Sequence, residues 1–323
     1  MSTLEKIRRI VAVEVRKQVN ASVRRSSYSL RQIFEDADPG KIDSKLFPTR
    51  LSQVDAALAK DLASKGQQDK ESEDDIVSAG TSSRPAASLH ASQTTMDFGK
   101  FVGMAVQMMG KIGSFSGGAG GDLGAIISSD GYIMDGHHRW AATLMVDPSA
   151  SVGGLRVDIP GEKLVGVLNV WTSAHGGVGK PSDTSLDSLD GESVAQKFKE
   201  MAGKGGKFLP PPTEILKALQ ANGFDSLEAA ADHVKKNWDS TASSRSIEGW
   251  MPPKVDMPAI EPNQLAQVAK DITGGVMDIN PPYSPDVAAA TGSASKKPQN
   301  AGYTPRGSIV AERWQKLAGI IKG

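Results

Sequence analysis

Residues 124–146 constrain the fold more tightly than any other stretch of the chain. An extended apolar run, Ala125-Ile126-Ile127-Ser128-Ser129, turns through Asp130-Gly131 into Tyr132-Ile133-Met134. Asp-Gly between apolar runs is a strong hairpin signal. Asp135-Gly136-His137-His138-Arg139 follows at once, after which Trp140, Ala141, Leu144 and Met145 recur at helical spacing until Asp147-Pro148 ends the pattern. The spacing predicts strand, turn, strand and helix, with Gly136, His138 and Arg139 facing outward at the helix amino end.

A helix amino terminus attracts anions, because its first N–H groups lack intrahelical partners and the backbone dipole is positive there. Gly136 allows close backbone approach, His138 offers a donor, and Arg139 offers a planar fork matched to phosphate oxygens. Asp135 is the odd member. A carboxylate beside a phosphate points to magnesium or to acid/base work as well as to helix capping. The plainer alternative is that Asp135 caps the helix while the histidines pair with neighbouring carboxylates.

With its flanking strands and helix, the stretch Asp135 to Arg139 resembles the phosphate-binding motif of the ParB/sulfiredoxin-like superfamily, and its spelling is closest to the free-serine kinase branch. The resemblance implies an α/β (α+β) fold with a small mixed sheet. It implies that Gly136, His137, His138 and Arg139 bind the phosphates of ATP, ADP or CTP, with Mg2+, and that Asp135 acts where a phosphoryl group is transferred. Sulfiredoxin itself is excluded, since its motif needs a cysteine and the chain has none. The partition-protein spelling, Gly-Glu-Arg-Arg, is also absent. A weaker match at 46–55, Leu-Phe-Pro-Thr-Arg-Leu-Ser-Gln-Val-Asp, resembles the first strand and turn of that superfamily and would bring Arg50 and Asp55 beside the phosphates. The alternative there is a helix capped by Thr49, with Val54, Leu58 and Leu62 on its apolar side. The resemblance spans about 45–171.

A hydrophobic content of 39% supports a real core, whereas only 5% aromatics amid abundant Gly, Ser, Ala and Pro predicts long linkers. The 37 basic and 37 acidic residues balance, so no global field recruits nucleic acid or membrane. Zero cysteines exclude disulfides and thiol catalysis and fit a cytoplasmic or virion setting. The amino terminus lacks the apolar core of a secretory signal. Residues 96–112 are apolar, but Lys100 and Lys111 bracket only ten residues, too few to cross a bilayer, so they read as a core or interface helix.

Four regions follow. Residues 1–40 hold a basic amphipathic helix (4–23) and a linker, a candidate surface for nucleic acid, an acidic partner or a second copy in a homo-oligomer. Residues 41–190 form the nucleotide-binding domain, with a polar, flexible insertion at about 61–95. Within it, 155–159 and 164–171 read as strands joined by Pro160-Gly161, and Trp171, at a strand end, closes the core or stacks on a base or substrate. The run 174–180 looks like a P-loop but fails, with Pro181 where Ser or Thr should stand; Lys180 still has phosphate within reach.

Residues 191–283 read as a helical appendage. Helices at 213–221 and 226–238, the second started by Asp225 and Glu228, form either a packed hairpin or a DNA-binding helix-turn-helix. Another helix covers 261–272, and 278–283 reads as an ordered turn. Residues 284–323 are linker and a terminal amphipathic helix (308–321) that suits a partner. The favoured function is a nucleotide-dependent phosphotransferase acting on a small hydroxylated substrate, with Asp135 or Asp55 activating the hydroxyl. Rivals are a nucleotide-gated DNA-binding or nuclease protein and a phage structural protein with a virion partner.

Overall fold

The hairpin forms where the apolar runs place it, β4 (Gly121–Ile127) antiparallel to β5 (Tyr132–Asp135). Its turn is closed by the Gly131 N–H donating to Ser128 O, with Gly131 at φ +94°. The computed structural model describes residues 48–65, 76–182, 184–205, 208–277 and 279, all in the compact unit that starts at Ser44. The helices expected at 4–23 and 308–321 and the turn at 278–283 lie outside the described residues, Ile279 excepted.

Five strands make the main sheet, in the order β1 (Ala79–Pro85), β6 (Ser151–Val157), β4, β5, β2 (His90–Ala91). β1 runs antiparallel to β6, β6 parallel to β4, and β5 parallel to β2. Two further short strands, β3 (Thr95–Met96) and β7 (Thr184–Ser185), pair separately. The chain is therefore mixed α/β.

The segment 61–95, expected to be flexible, is corrected in part: its described residues finish helix α1 (Ala56–Lys65) and supply both edge strands. Its Ser- and Thr-rich spelling is that of an edge. β1 mixes half-buried and exposed positions, with none buried, and is held by its backbone ladder to β6, so no apolar alternation advertises it.

Alternation along the strands divides the core. Ala125, Ile127 and Ile133 face one side, with α2 (Phe98–Gly110), α3 (His137–Val146), α5 (Gly191–Lys204), α6 (Pro212–Ala221) and α7 (Leu227–Ser240). Ile126 and Met134 face the other, with α1, α4 (Gly161–Ala174) and α8 (Leu265–Thr273). The helices expected as an appendage thus share a core with the motif helix. Trp238 of α7 stacks on Phe101 of α2 at 5.6 Å between ring centroids, and Ile215, Leu219, Ala230 and Val234 are buried beside them. Ser226 starts α7, accepting the Ala229 N–H at 3.1 Å in place of the expected Asp225 and Glu228 box.

The second correction concerns 164–171, which is helix α4 and not a strand. Its run is apolar on every side because every side is covered, and periodicity then fails to separate a buried strand from a buried helix. Pro160 is the helix cap, not a turn residue, and the hairpin's own Asp130 accepts the Gly161 N–H at 2.9 Å.

Candidate functional site

Gly136 is where β5 becomes α3. Its φ of +95° and the 3.3 Å that would separate an added Cβ from Ala125 Cα confine the position to glycine. His137, His138 and Arg139 then occupy the first helical turn, whose N–H groups have no acceptor within the helix. These residues line a cavity of about 360 Å³ whose opposite wall is an irregular segment from Lys254 to Glu261.

Four cationic side chains, Lys100, Arg139, Lys180 and Lys254, line it against two carboxylates, Asp135 and Glu261. Both carboxylates are matched: Arg139 Nη2 lies 3.3 Å from Asp135 Oδ2, and Lys180 Nζ lies 3.0 Å from Glu261 Oε1. An excess of two positive charges remains. Burial and the neighbouring Lys100 ammonium hold Lys254 below the ordinary lysine range. Gln93, 3% exposed, also lines the cavity, and its Nε2 finds no acceptor among the described residues. A buried donor left unmatched is costly.

The two histidines differ. His138 Nε2 accepts the Asp97 N–H at 3.3 Å, which puts the ring proton on Nδ1. Burial and the charges of Lys100, Lys254 and Arg139 depress its pKa to about 3, so it is a neutral donor at neutral pH. His137 is 5% exposed with Nε2 3.1 Å from Ser92 Oγ, and burial depresses it too to about 3. Its imidazole ties α3 to the strand region at Ser92, so its offering to a phosphate is the backbone N–H. For Asp135, burial raises the carboxyl above its ordinary range, while Arg139 and the Gly136 N–H oppose the shift.

The structure does not bring the other expected residues here. Asp55 caps α1, its carboxylate accepting the Ala57 N–H at 3.0 Å, and it does not line the cavity. Nor does Thr49 cap a helix: it is buried ahead of a short turn at Leu51–Gln53. Arg50 acts at one remove, 3.6 Å from Asp256 in the far wall. Of the two roles expected for Trp171, the structure shows the closing of the core and not the stacking on a base. Trp171 sits inside α4, 1% exposed, stacked on His175 and donating to Asp271 at 2.9 Å, with no face left for a base or substrate.

Two glycines of the P-loop-like run, Gly177 and Gly179, serve packing. A Cβ at Gly179 would lie 1.8 Å from Val255 O, and one at Gly177 2.9 Å from Ala259 O, so these residues let the loop lie against the far wall. The donor set suits a protein-held divalent cation poorly, since both carboxylates are engaged by cations and no three candidate ligands cluster among the described residues.

Sequence reasoning missed Gln93, Lys100, Lys254 and Glu261 as site residues. Lys100 had a signal, since Asp97 caps α2 three residues ahead of it; the others carry none in their local spelling. No protein family, no curated protein and no solved structure matches the chain.

Proposed function

We propose that the chain binds a nucleotide by its phosphates in the cation-lined cavity and transfers a phosphoryl group to a small hydroxylated acceptor. One observation carries this: an excess of two positive charges converges on the amino end of α3 beside a buried, unmatched Gln93 amide. In this reading the α3 N–H groups, Lys100, Lys254 and the Nδ1–H of His138 hold the phosphate oxygens. Asp135, anchored on Arg139, takes the acceptor's proton as its oxygen bonds to phosphorus and the bond to the leaving phosphate breaks. Charge neutralisation rests on the lysines and Arg139, and no step is routed through a metal.

Thermal shift with ATP, ADP and CTP tests the reading. At least one nucleotide should raise Tm, and Arg139→Ala and Lys254→Ala should each remove about 1.5 to 3 kcal/mol of binding, roughly tenfold or more in affinity. Asp135→Asn should keep binding and lose turnover. If no nucleotide raises the wild-type Tm, the reading fails.

A further inference from the structure

Arg139 lines a second cavity, of about 550 Å³, and among the described residues it alone lines both. Its guanidinium is arranged for both: Nη2 is held by Asp135, while Nη1 is the nitrogen nearest Gly124, where an added Cβ would stand 3.7 Å away.

The second cavity has a different chemistry. It lies where the two cores meet, with Phe115 and Leu123 packed on one and Leu265 on the other. It is an open hollow edged by a glycine-rich stretch, with Gly118, Gly120 and Gly124 at positive φ. Between Asp122 and Ala125 the ladder to β6 shifts register, so Leu123 and Gly124 bulge out of the sheet toward it. Apart from Arg139, the charged residue among its described lining is Asp122, whose Oδ1 accepts the Gly124 N–H at 3.0 Å. Among the described lining residues Arg139 is the one cation, with the side chain of Lys111 beside Gly118 at the edge. A flat ring with an exocyclic amino group finds an aromatic ring, two leucines and a carboxylate acceptor.

Resting on the phosphate reading of the first cavity, we propose that the second receives the nucleobase of the same nucleotide, selecting bases that carry an exocyclic amino group. The nucleotide runs past Arg139, with its polyphosphate among Lys100 and Lys254 and its base against Phe115 and Asp122.

Isothermal titration of the full chain with ATP, UTP and inorganic tripolyphosphate separates the two readings. Wild type should bind ATP at least tenfold more tightly than tripolyphosphate and several-fold more tightly than UTP. Phe115→Ala should weaken ATP about tenfold and leave tripolyphosphate unchanged, in line with the worth of base stacking on an aromatic ring. Asp122→Asn keeps the bond to the Gly124 N–H, so it guards against a folding defect, and it should erase the preference for ATP over UTP. Equal affinity for ATP and tripolyphosphate, equal weakening of both by Phe115→Ala, or an unchanged ATP preference in Asp122→Asn overturns the base site while leaving the phosphate site standing. Failure of both ligands to bind overturns the two together.

Discussion

The two walls of the cation-lined cavity are built by opposite means. One is a single run of sequence, Asp135 to Arg139, fixed by the β5 ladder and the first turn of α3. The other is irregular chain, fixed by distant partners: the Lys254 N–H donates to Thr95 Oγ1 at 3.0 Å, the Ala259 N–H to Thr172 Oγ1 at 3.2 Å, and Asp256 meets Arg50. Regular backbone makes the first wall stiff, whereas the second is held by a short turn at Lys254–Asp256, the buried side chains of Met257 and Ile260, and a few bonds worth about 1 kcal/mol each. The shape of the cavity is therefore most sensitive at its weaker wall.

The stiff wall breaks through the sheet beneath it. A Cβ at Gly154 would lie 2.1 Å from Ala125 O, so Gly154→Ala should push β6 off β4 and remove about 3 kcal/mol or more of stability. Chemical denaturation measures it, as a lower midpoint at unchanged slope. A loss within about 0.5 kcal/mol would mean that the wall does not lean on that seam.

Acid should act next, and on the same wall. His137 and His138 have pKa values near 3 against an ordinary 6.5. The unfolded chain takes up protons below pH 6.5 and the folded chain does not, so stability is whole above 6.5 and drains as pH falls toward 3. The limit is about 1.4 kcal/mol per pH unit for each histidine, less for the partly exposed His138. Urea midpoints at pH 7, 6 and 5 should fall accordingly, and His137→Gln should flatten the decline. A level profile would place both rings in contact with water.

The same contrast explains what could be read from sequence. The hairpin, α3 and its cap region were legible because each is decided by neighbours within a few residues: Asp130-Gly131 sets the turn, Gly136 the left-handed step, and Asp147 the end. The buried side of α4 was not, because a run such as Leu164 to Trp171 is covered on all sides and loses its periodicity. β1 was missed for the opposite reason, being an edge strand with little to bury. In the site, Arg139 and His138 were visible through their motif, while Lys254 and Gln93 come from segments whose own spelling says nothing of the cavity they reach.

A milder change should loosen the far wall alone. Thr172→Val removes the hydroxyl that accepts the Ala259 N–H and should lower stability by about 1 kcal/mol, a Tm change of a few degrees. Its effect on nucleotide affinity should be larger than its effect on Tm suggests. Equal affinity in the variant would show that the wall is held without that bond.

The smallest effect should have the opposite sign and fall on Asp135. Burial lifts its folded-state pKa above the ordinary value of 3.8. A carboxyl raised in this way favours the fold below its ordinary pKa and works against it once ionised, as it is at neutral pH. Arg139 offsets part of that burden at 3.3 Å, but the pair is about one-third exposed and such pairs are worth little. Asp135→Asn should therefore raise the Tm of the free protein slightly at pH 7.5, with the gain shrinking toward pH 4, while phosphoryl transfer is lost. Catalytic groups held at a cost to the fold behave in this way. A lower Tm at pH 7.5 would mean that the Arg139 pair outweighs burial, and Asp135 would then be a structural partner of the motif and not its base.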